Sequence, residues 1–269
     1  MGYLNNNIGY PKDILQSRAI IKRNNYALIE PNGLVKNVLP GFENCDVTIL
    51  ATPKLGASFV DYLLTLHENG KNTKPFGANN ADSHAAPDIE TFAYVIDGKV
   101  TATAGEQTFN LDAGGYVYCP PGVAMFLENA NGKNSSQLFL YKRRYIPVLG
   151  YHADIVSNNV NALEAIEYEG MSNVILKDLL PKELGFDMNI HILSFKPGAS
   201  HGYVETHLQE HGAYILSGQG MYNLDNDWLP VKKGDYIFMA AYALQAGYAV
   251  GNEVFSYIYS KDCHRDVEL

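Results

Sequence analysis

The chain lacks any apolar run of about 18 residues, which excludes a helix that crosses a membrane. Cations are scarce. Against 29 Asp and Glu stand 20 Lys and Arg, a net charge of −9, and such a surface repels nucleic acid and anionic lipid. No nucleic-acid or membrane partner is expected. Three cysteines occur, Cys45, Cys119 and Cys263, widely spaced and odd in number. They exclude a disulfide framework and a CxxC metal site. The opening MGYLNNNIGYPKDILQSRAI has Asn and Pro where a secretory peptide carries an apolar block. Export is not expected, and a cytoplasmic location is. Long helical patterns are also missing; the best candidates are short, at Pro11–Ala19, Ala162–Glu167 and Ile175–Glu183. That excludes a parallel α/β sheet, which needs a long helix between successive strands.

What remains is strand material. At 269 residues and 46% hydrophobic content the chain can bury a sizeable core in one large domain or two ordinary ones. Segments such as TFAYVIDGKVTATA, MNIHILSF, GAYILSGQGMYNL and VFSYIYSK are short, rich in Val, Ile, Tyr and Phe, and bounded by Gly, Pro, Asn and Asp. Many such strands with Gly-rich turns predict an all-β sandwich or barrel. An internal repeat divides it. Shifting the chain by 120 residues places ETFAYVIDG (from Glu90) on EHGAYILSG (from Glu210), Gly98 on Gly218, Gly114 on Gly234 and Tyr116 on Tyr236, without a gap. Turn glycines and alternating strand residues are what duplicated β units share. The expected division is residues 1–150 and 151–269, with a connecting segment through about residue 170.

The second half contains a set of metal-ligand residue types. Glu205 and His207 are two apart, so a strand points both to one side, and His211 can return to the same place after a turn. One carboxylate and two imidazoles suit Mn, Fe, Ni or Zn, although His and Glu beside a turn are as often plain surface residues. The spacing resembles the cupin motifs. Motif one reads Gly, five residues, His-x-His, three or four residues, Glu, six residues, Gly. Here Gly198 is followed after six residues by Glu205, then His207, His211 and Gly218, so the motif's first His is Glu205 and its Glu is His211. Motif two starts at Gly234, with Ala240 and Tyr242 for its Pro and Gly and Gln245 for its His. The resemblance implies two cupin (jelly-roll, double-stranded β-helix) domains with few short helices, and a metal shell of Glu205, His207, His211 and Gln245. A neutral amide oxygen leans that shell toward a hard ion such as Mn(II), one per chain. In the repeat register the first half has Thr91 and Met125 at the positions of His211 and Gln245. Its His84 reads as a solvated loop residue, so that domain is expected to lack metal.

Over its whole length the chain resembles the bicupin (S)-ureidoglycine aminohydrolase family. The likeness is carried by GYLNN, LVKNVLPGFENCD, FLYKRRY, LPKELGFDMNIHILSFKPGASHGY, ETHLQEHGAYILSGQGMYNLDN and FSYIYSKDC, and departs at a longer, more polar loop near residues 71–88. The resemblance implies a manganese-dependent hydrolase that releases ammonia from (S)-ureidoglycine, in a homo-oligomer. It implies substrate contacts from Tyr222, Tyr257 and Lys261, and catalytic parts for Glu205, as a proton carrier, and Lys261. Tyr257 and Lys261 are four apart on an apparent strand and so share a face. On their own residues, the two tyrosines read equally as core aromatics and Lys261 as a surface charge. Rival readings are another metal-dependent cupin enzyme, a dioxygenase or isomerase, and a non-catalytic bicupin binding or storage protein.

Overall fold

A computed structural model describes residues 17–78, 84–262 and 265–267. Among them no α-helix forms; two single 3-10 turns, Pro31–Gly33 and Val160–Ala162, are the helical content. Two of the helical expectations are thereby corrected. Residues 162–167 run from the second 3-10 turn into the strand Ile166–Tyr168, and Ile175–Asp178 belongs to the strand Met171–Asp178. That strand pairs with Met188–Phe195, so a row of cross-strand bonds overrides a weak helical periodicity. Of the third, residues 11–16 lie outside the described residues, and 17–19 are not helical. Residues 79–83 of the 71–88 loop and Cys263 also lie outside them; Cys45 and Cys119 are free thiols.

Two compact units divide the chain. Of the described residues, the first takes 32–52 and 58–162, and the second takes 17–31, Pro53–Ala57 and those from Leu163 on. The duplication is visible strand by strand. Lys99–Ala104 and Gln107–Asp112 recur as Gln219–Leu224 and Asp227–Lys232, each shifted by 120 residues (99 to 219, 107 to 227). Alternation builds the inner face: in Lys99–Ala104, Val100, Ala102 and Ala104 are fully buried while the residues between them reach solvent. The first unit closes on an apolar cluster that includes Leu64, Leu66, Val95, Val100, Leu127 and Leu138.

The second unit pairs an eight-stranded sheet with a three-stranded one. The smaller sheet runs Asp227–Lys232, Gln219–Leu224, Gln245–Val250. In the larger, His211–Ser217 pairs with Phe255–Asp262, which pairs with Met188–Phe195. Both sheets send side chains inward, Leu193, Ile215 and Phe255 from one and Leu224, Val231 and Ala249 from the other. A feature absent from the repeat register completes the larger sheet. Tyr26–Ile29, buried at all four positions, pairs with Tyr236–Met239, and Ile20–Lys22 adds the edge.

The turn glycines that reveal the repeat have a steric reason. Gly218 has φ +66°, and an added Cβ would stand 2.5 Å from the Val254 carbonyl oxygen; its repeat mate Gly98 has φ +89° and would place one 2.4 Å from Ser136 Oγ. Gly234 has φ +89° but open space around it. Gly218→Ala should therefore be less stable than Gly234→Ala by about 1–3 kcal/mol, the usual cost of forced overpacking. Urea unfolding of the two variants measures the difference, and equal midpoints would remove the clash as the cause.

Candidate active site

The loop between Phe195 and His211 is tied to the strand Gln245–Val250 rung by rung. Ala249 N donates to Ala199 O (2.8 Å), His201 N to Gly247 O (2.9 Å), and Glu205 and Gln245 exchange both backbone bonds at 2.9 Å. Tyr242 N, in a positive-φ turn, then holds His207 O at 2.7 Å. This ladder sets Glu205 and His207 beside Gln245, while His211 enters from a strand of the larger sheet, 4% exposed. All four line a cavity of about 90 Å³ within the second unit.

Three of the four expected ligands meet. His211 Nδ1 lies 2.8 Å from the Ser260 carbonyl oxygen, which can only accept, so the ring proton sits there and Nε2 carries a lone pair. His207 Nε2 is 2.7 Å from Gln245 Nε2, an amide nitrogen that can only donate, so this imidazole nitrogen also presents a lone pair. The two bare nitrogens face each other at 3.2 Å. Two nitrogens about 2.1 Å from one divalent ion, at a right angle, would stand about 3 Å apart, so the pair fits a shared cation. Half a turn of the Gln245 amide exchanges its nitrogen for oxygen and supplies a third donor. Burial first, then the neighbouring His207, pushes the His211 pKa well down, which keeps the ring in the neutral form that binds metal. Glu205 reaches the cavity but stands off from this trio: its Oε1 is 3.9 Å from His201 Nε2. Accordingly, among the described residues no three His, Cys, Asp or Glu side chains form a metal-binding group. Burial raises the Glu205 pKa; the Lys261 charge opposes that and Glu169 adds to it.

The wall beside His211 is its sheet neighbour, the strand Phe255–Asp262, whose alternate residues Tyr257, Tyr259 and Lys261 all line the cavity. The phenol oxygens of Tyr222 and Tyr257 are 3.4 Å apart, and both side chains are buried, so each is a core aromatic whose hydroxyl faces a polar space. Burial drives both phenols above their ordinary pKa. Lys261 is half-buried at the end of the row.

Four polar lining residues escape a reading by motif. Tyr259 was legible in principle, since it lies between Tyr257 and Lys261 on one strand face. His191, His201 and Tyr168 come from other strands and loops, with no spacing that links them to the ligands. His201 Nδ1 accepts from Gly247 N at 2.7 Å, and burial lowers its pKa to about 4. His191 Nδ1 meets Asp178 Oδ1 at 2.7 Å, and Asp178 Oδ2 meets Lys182 at 2.6 Å. Although its burial works the other way, the His191 and Lys182 contacts hold the Asp178 carboxyl down at about 2. A carboxyl with a depressed folded pKa contributes stability that is complete above its ordinary value of 3.8 and lost as the pH falls toward 2. Asp178→Asn should flatten that part of the acid limb. Urea midpoints at about pH 5 and pH 2.5 test this, and an unchanged slope would count against it.

The first unit shows the same frame without the chemistry. Phe76 N donates to Met125 O at 2.9 Å, as Glu205 N does to Gln245 O, so an apolar ring occupies the Glu205 position. Phe76 is 4% exposed and belongs to the core; Thr91 and Met125 line up with His211 and Gln245. His84 is exposed. Lys142 lies over the rings of Tyr62 (5.5 Å) and Phe76 (5.7 Å), and burial lowers its pKa.

Two jelly-roll units, one with a convergent imidazole and amide site, define a bicupin protein. The family models agree: an EutQ-like cupin domain matches residues 82–145 and a cupin domain matches 191–259. The chain is 67% identical to the (S)-ureidoglycine aminohydrolase of Escherichia coli K12, over all of both chains. It is 31% identical to the (S)-ureidoglycine aminohydrolase of Arabidopsis thaliana, over 93% of this chain and 79% of the relative. The crystal structure of protein YlbA from E. coli superposes with a TM-score of 0.84 at 64% identity, over 97% of this chain and 100% of that one. The chain belongs to the (S)-ureidoglycine aminohydrolase family.

Proposed function

We infer that this chain releases ammonia from (S)-ureidoglycine by hydrolysis, leaving (S)-ureidoglycolate, in allantoin catabolism. Full-length identity of 67% to a curated enzyme of that name carries the reading. The convergence of His207, His211 and Gln245 in a cavity walled by Tyr222, Tyr257 and Lys261 supports it. His207, His211 and Gln245 would hold a divalent ion, with Glu205 as fourth ligand after its carboxylate turns from His201. The neutral amide favours Mn(II) over a thiophilic ion. When bound, such an ion supplies Lewis acidity and fixes the orientation of a chelating substrate.

The chain's own groups do the rest. The substrate carries a carboxylate, a ureido group and an amine on one carbon. Lys261 pairs with the carboxylate. The Tyr222 and Tyr257 hydroxyls, kept neutral by burial, donate to the ureido oxygen. Glu205, whose pKa is raised by burial, carries a proton for the departing nitrogen. Together these contacts fix which hand of the carbon fits.

The test is incubation of the purified chain with freshly made (S)-ureidoglycine, with ammonia followed against the spontaneous decay of the substrate, together with metal analysis. Ammonia above background and about one metal per chain are expected. Background release alone overturns the activity, and two metals per chain overturn the assignment to one domain. A homo-oligomer is also expected, because the segment 146–151 exposes Leu149 at 99% and Tyr151 at 47%. Light scattering in solution checks it, and a monomer mass would refute it.

A further inference from the structure

Hydrolysis needs a group that takes a proton from water, and the residues assigned so far leave that part open. The sheet that carries His211 contains a candidate two strands away. His191 lies in the strand Met188–Phe195, directly across from Tyr259, and their rings stack at 5.2 Å and 28°. Tyr259 in turn meets His211 edge-on at 5.1 Å, so one phenol ring lies between His191 and a proposed ligand. Lys261 follows two residues beyond Tyr259 on the same face. His191 is 8% exposed and lines the cavity.

Strand register makes the pair with Asp178. Asp178 is the cross-strand partner of His191, and its Oδ1 stands 2.7 Å from His191 Nδ1. Asp178 Oδ1 lies off the line of a ring N–H bond, so its charge, and not a directed hydrogen bond, favours the proton on Nδ1 and leaves the lone pair on Nε2, the ring edge away from Asp178. A carboxylate beside one ring nitrogen biases the tautomer of an imidazole in the sense a catalytic base requires. Burial lowers the His191 pKa, Asp178 opposes this, and Lys261 and Lys182 add to the lowering, so the ring is a neutral base near pH 7.

We propose that His191, its tautomer biased by Asp178, is the general base of the hydrolysis and takes the proton of the attacking water on Nε2. This rests on the activity inferred above. A lone pair of the water oxygen forms the new C–O bond, and one O–H proton passes to Nε2. The substrate amine takes a proton from Glu205, keeps the C–N electron pair and leaves as ammonia, and Glu205 regains its proton from solvent. The imidazolium then returns its proton to solvent. Atoms and charge balance whichever bond changes first, and Asp178 stays ionised beside the transient cation.

His191→Asn separates this from a structural role, because the Asn amide N–H can replace Nδ1–H toward Asp178 while nothing replaces Nε2. The expected result is a fall in kcat of at least about 100-fold, with metal content kept and product binding by calorimetry changed less than about threefold. Asp178→Asn retains the ring but removes the charge, and kcat should fall by about tenfold or more with KM little changed. Turnover by His191→Asn within about threefold of the unaltered chain overturns the proposal. If that variant does not fold, unchanged kcat in Asp178→Asn does the same. The unaltered chain is assayed alongside: absence of ammonia release there defeats the activity itself rather than the part given to His191.

Discussion

His211→Ala is expected to empty the metal site and to cut ammonia release more than about 100-fold. The loss has two sources. One of two facing imidazole donors is gone, and ligand removal costs more than the tenfold to hundredfold typical of changes behind the ligands. The Ser260 carbonyl also loses the ring N–H at 2.8 Å, which leaves a buried acceptor and costs about 1–3 kcal/mol of stability. His207→Ala removes the partner nitrogen at 3.2 Å and leaves the buried Gln245 amide without its acceptor at 2.7 Å, so its melting temperature should fall by a similar amount while metal and activity are lost equally. Metal analysis, ammonia release and thermal unfolding on both variants give the comparison. Full metal with full turnover in either one takes that imidazole out of the site.

Lys261→Met keeps the length of the side chain and removes its charge. A charge-assisted pair with a substrate carboxylate contributes about 1.5–3 kcal/mol when shielded from water. KM should therefore rise by about 10- to 100-fold with metal still bound. If the ammonium also orients the substrate, kcat falls as well and preference for the S over the R form weakens. The position supports this, since Lys261 continues the inward row of Tyr257 and Tyr259 instead of standing on the outer face. Kinetic constants equal to those of the unaltered chain, on both enantiomers, would return Lys261 to the surface.

The duplication was legible because strand lengths and turn glycines recur in one register, and Gly218 can be nothing else where an added Cβ meets a backbone oxygen at 2.5 Å. The spacing from Glu205 to His211 was legible for the same local reason. Contacts made by strand register were not. His191 and Asp178 are thirteen residues apart (191 − 178), and only the pairing of their two strands brings them to 2.7 Å. Phe76 was hidden because the loop lengths before it differ between the halves, so a repeat read without gaps never sets it against Glu205. The expected helix over 175–183 failed because cross-strand pairing outweighs local periodicity.

Tyr26–Ile29 has a consequence for biosynthesis. Its partner strand begins at Tyr236, 207 residues later (236 − 29). At about 5–20 residues per second, the ribosome leaves this fully apolar segment waiting roughly 10–40 s before its mate emerges. The first unit, all of whose described residues lie between the two, can fold in that interval. The second unit therefore closes last, around a segment made first. A gene fragment encoding only the chain from Leu163 on would leave Tyr236–Met239 as an open edge ready to pair with another molecule.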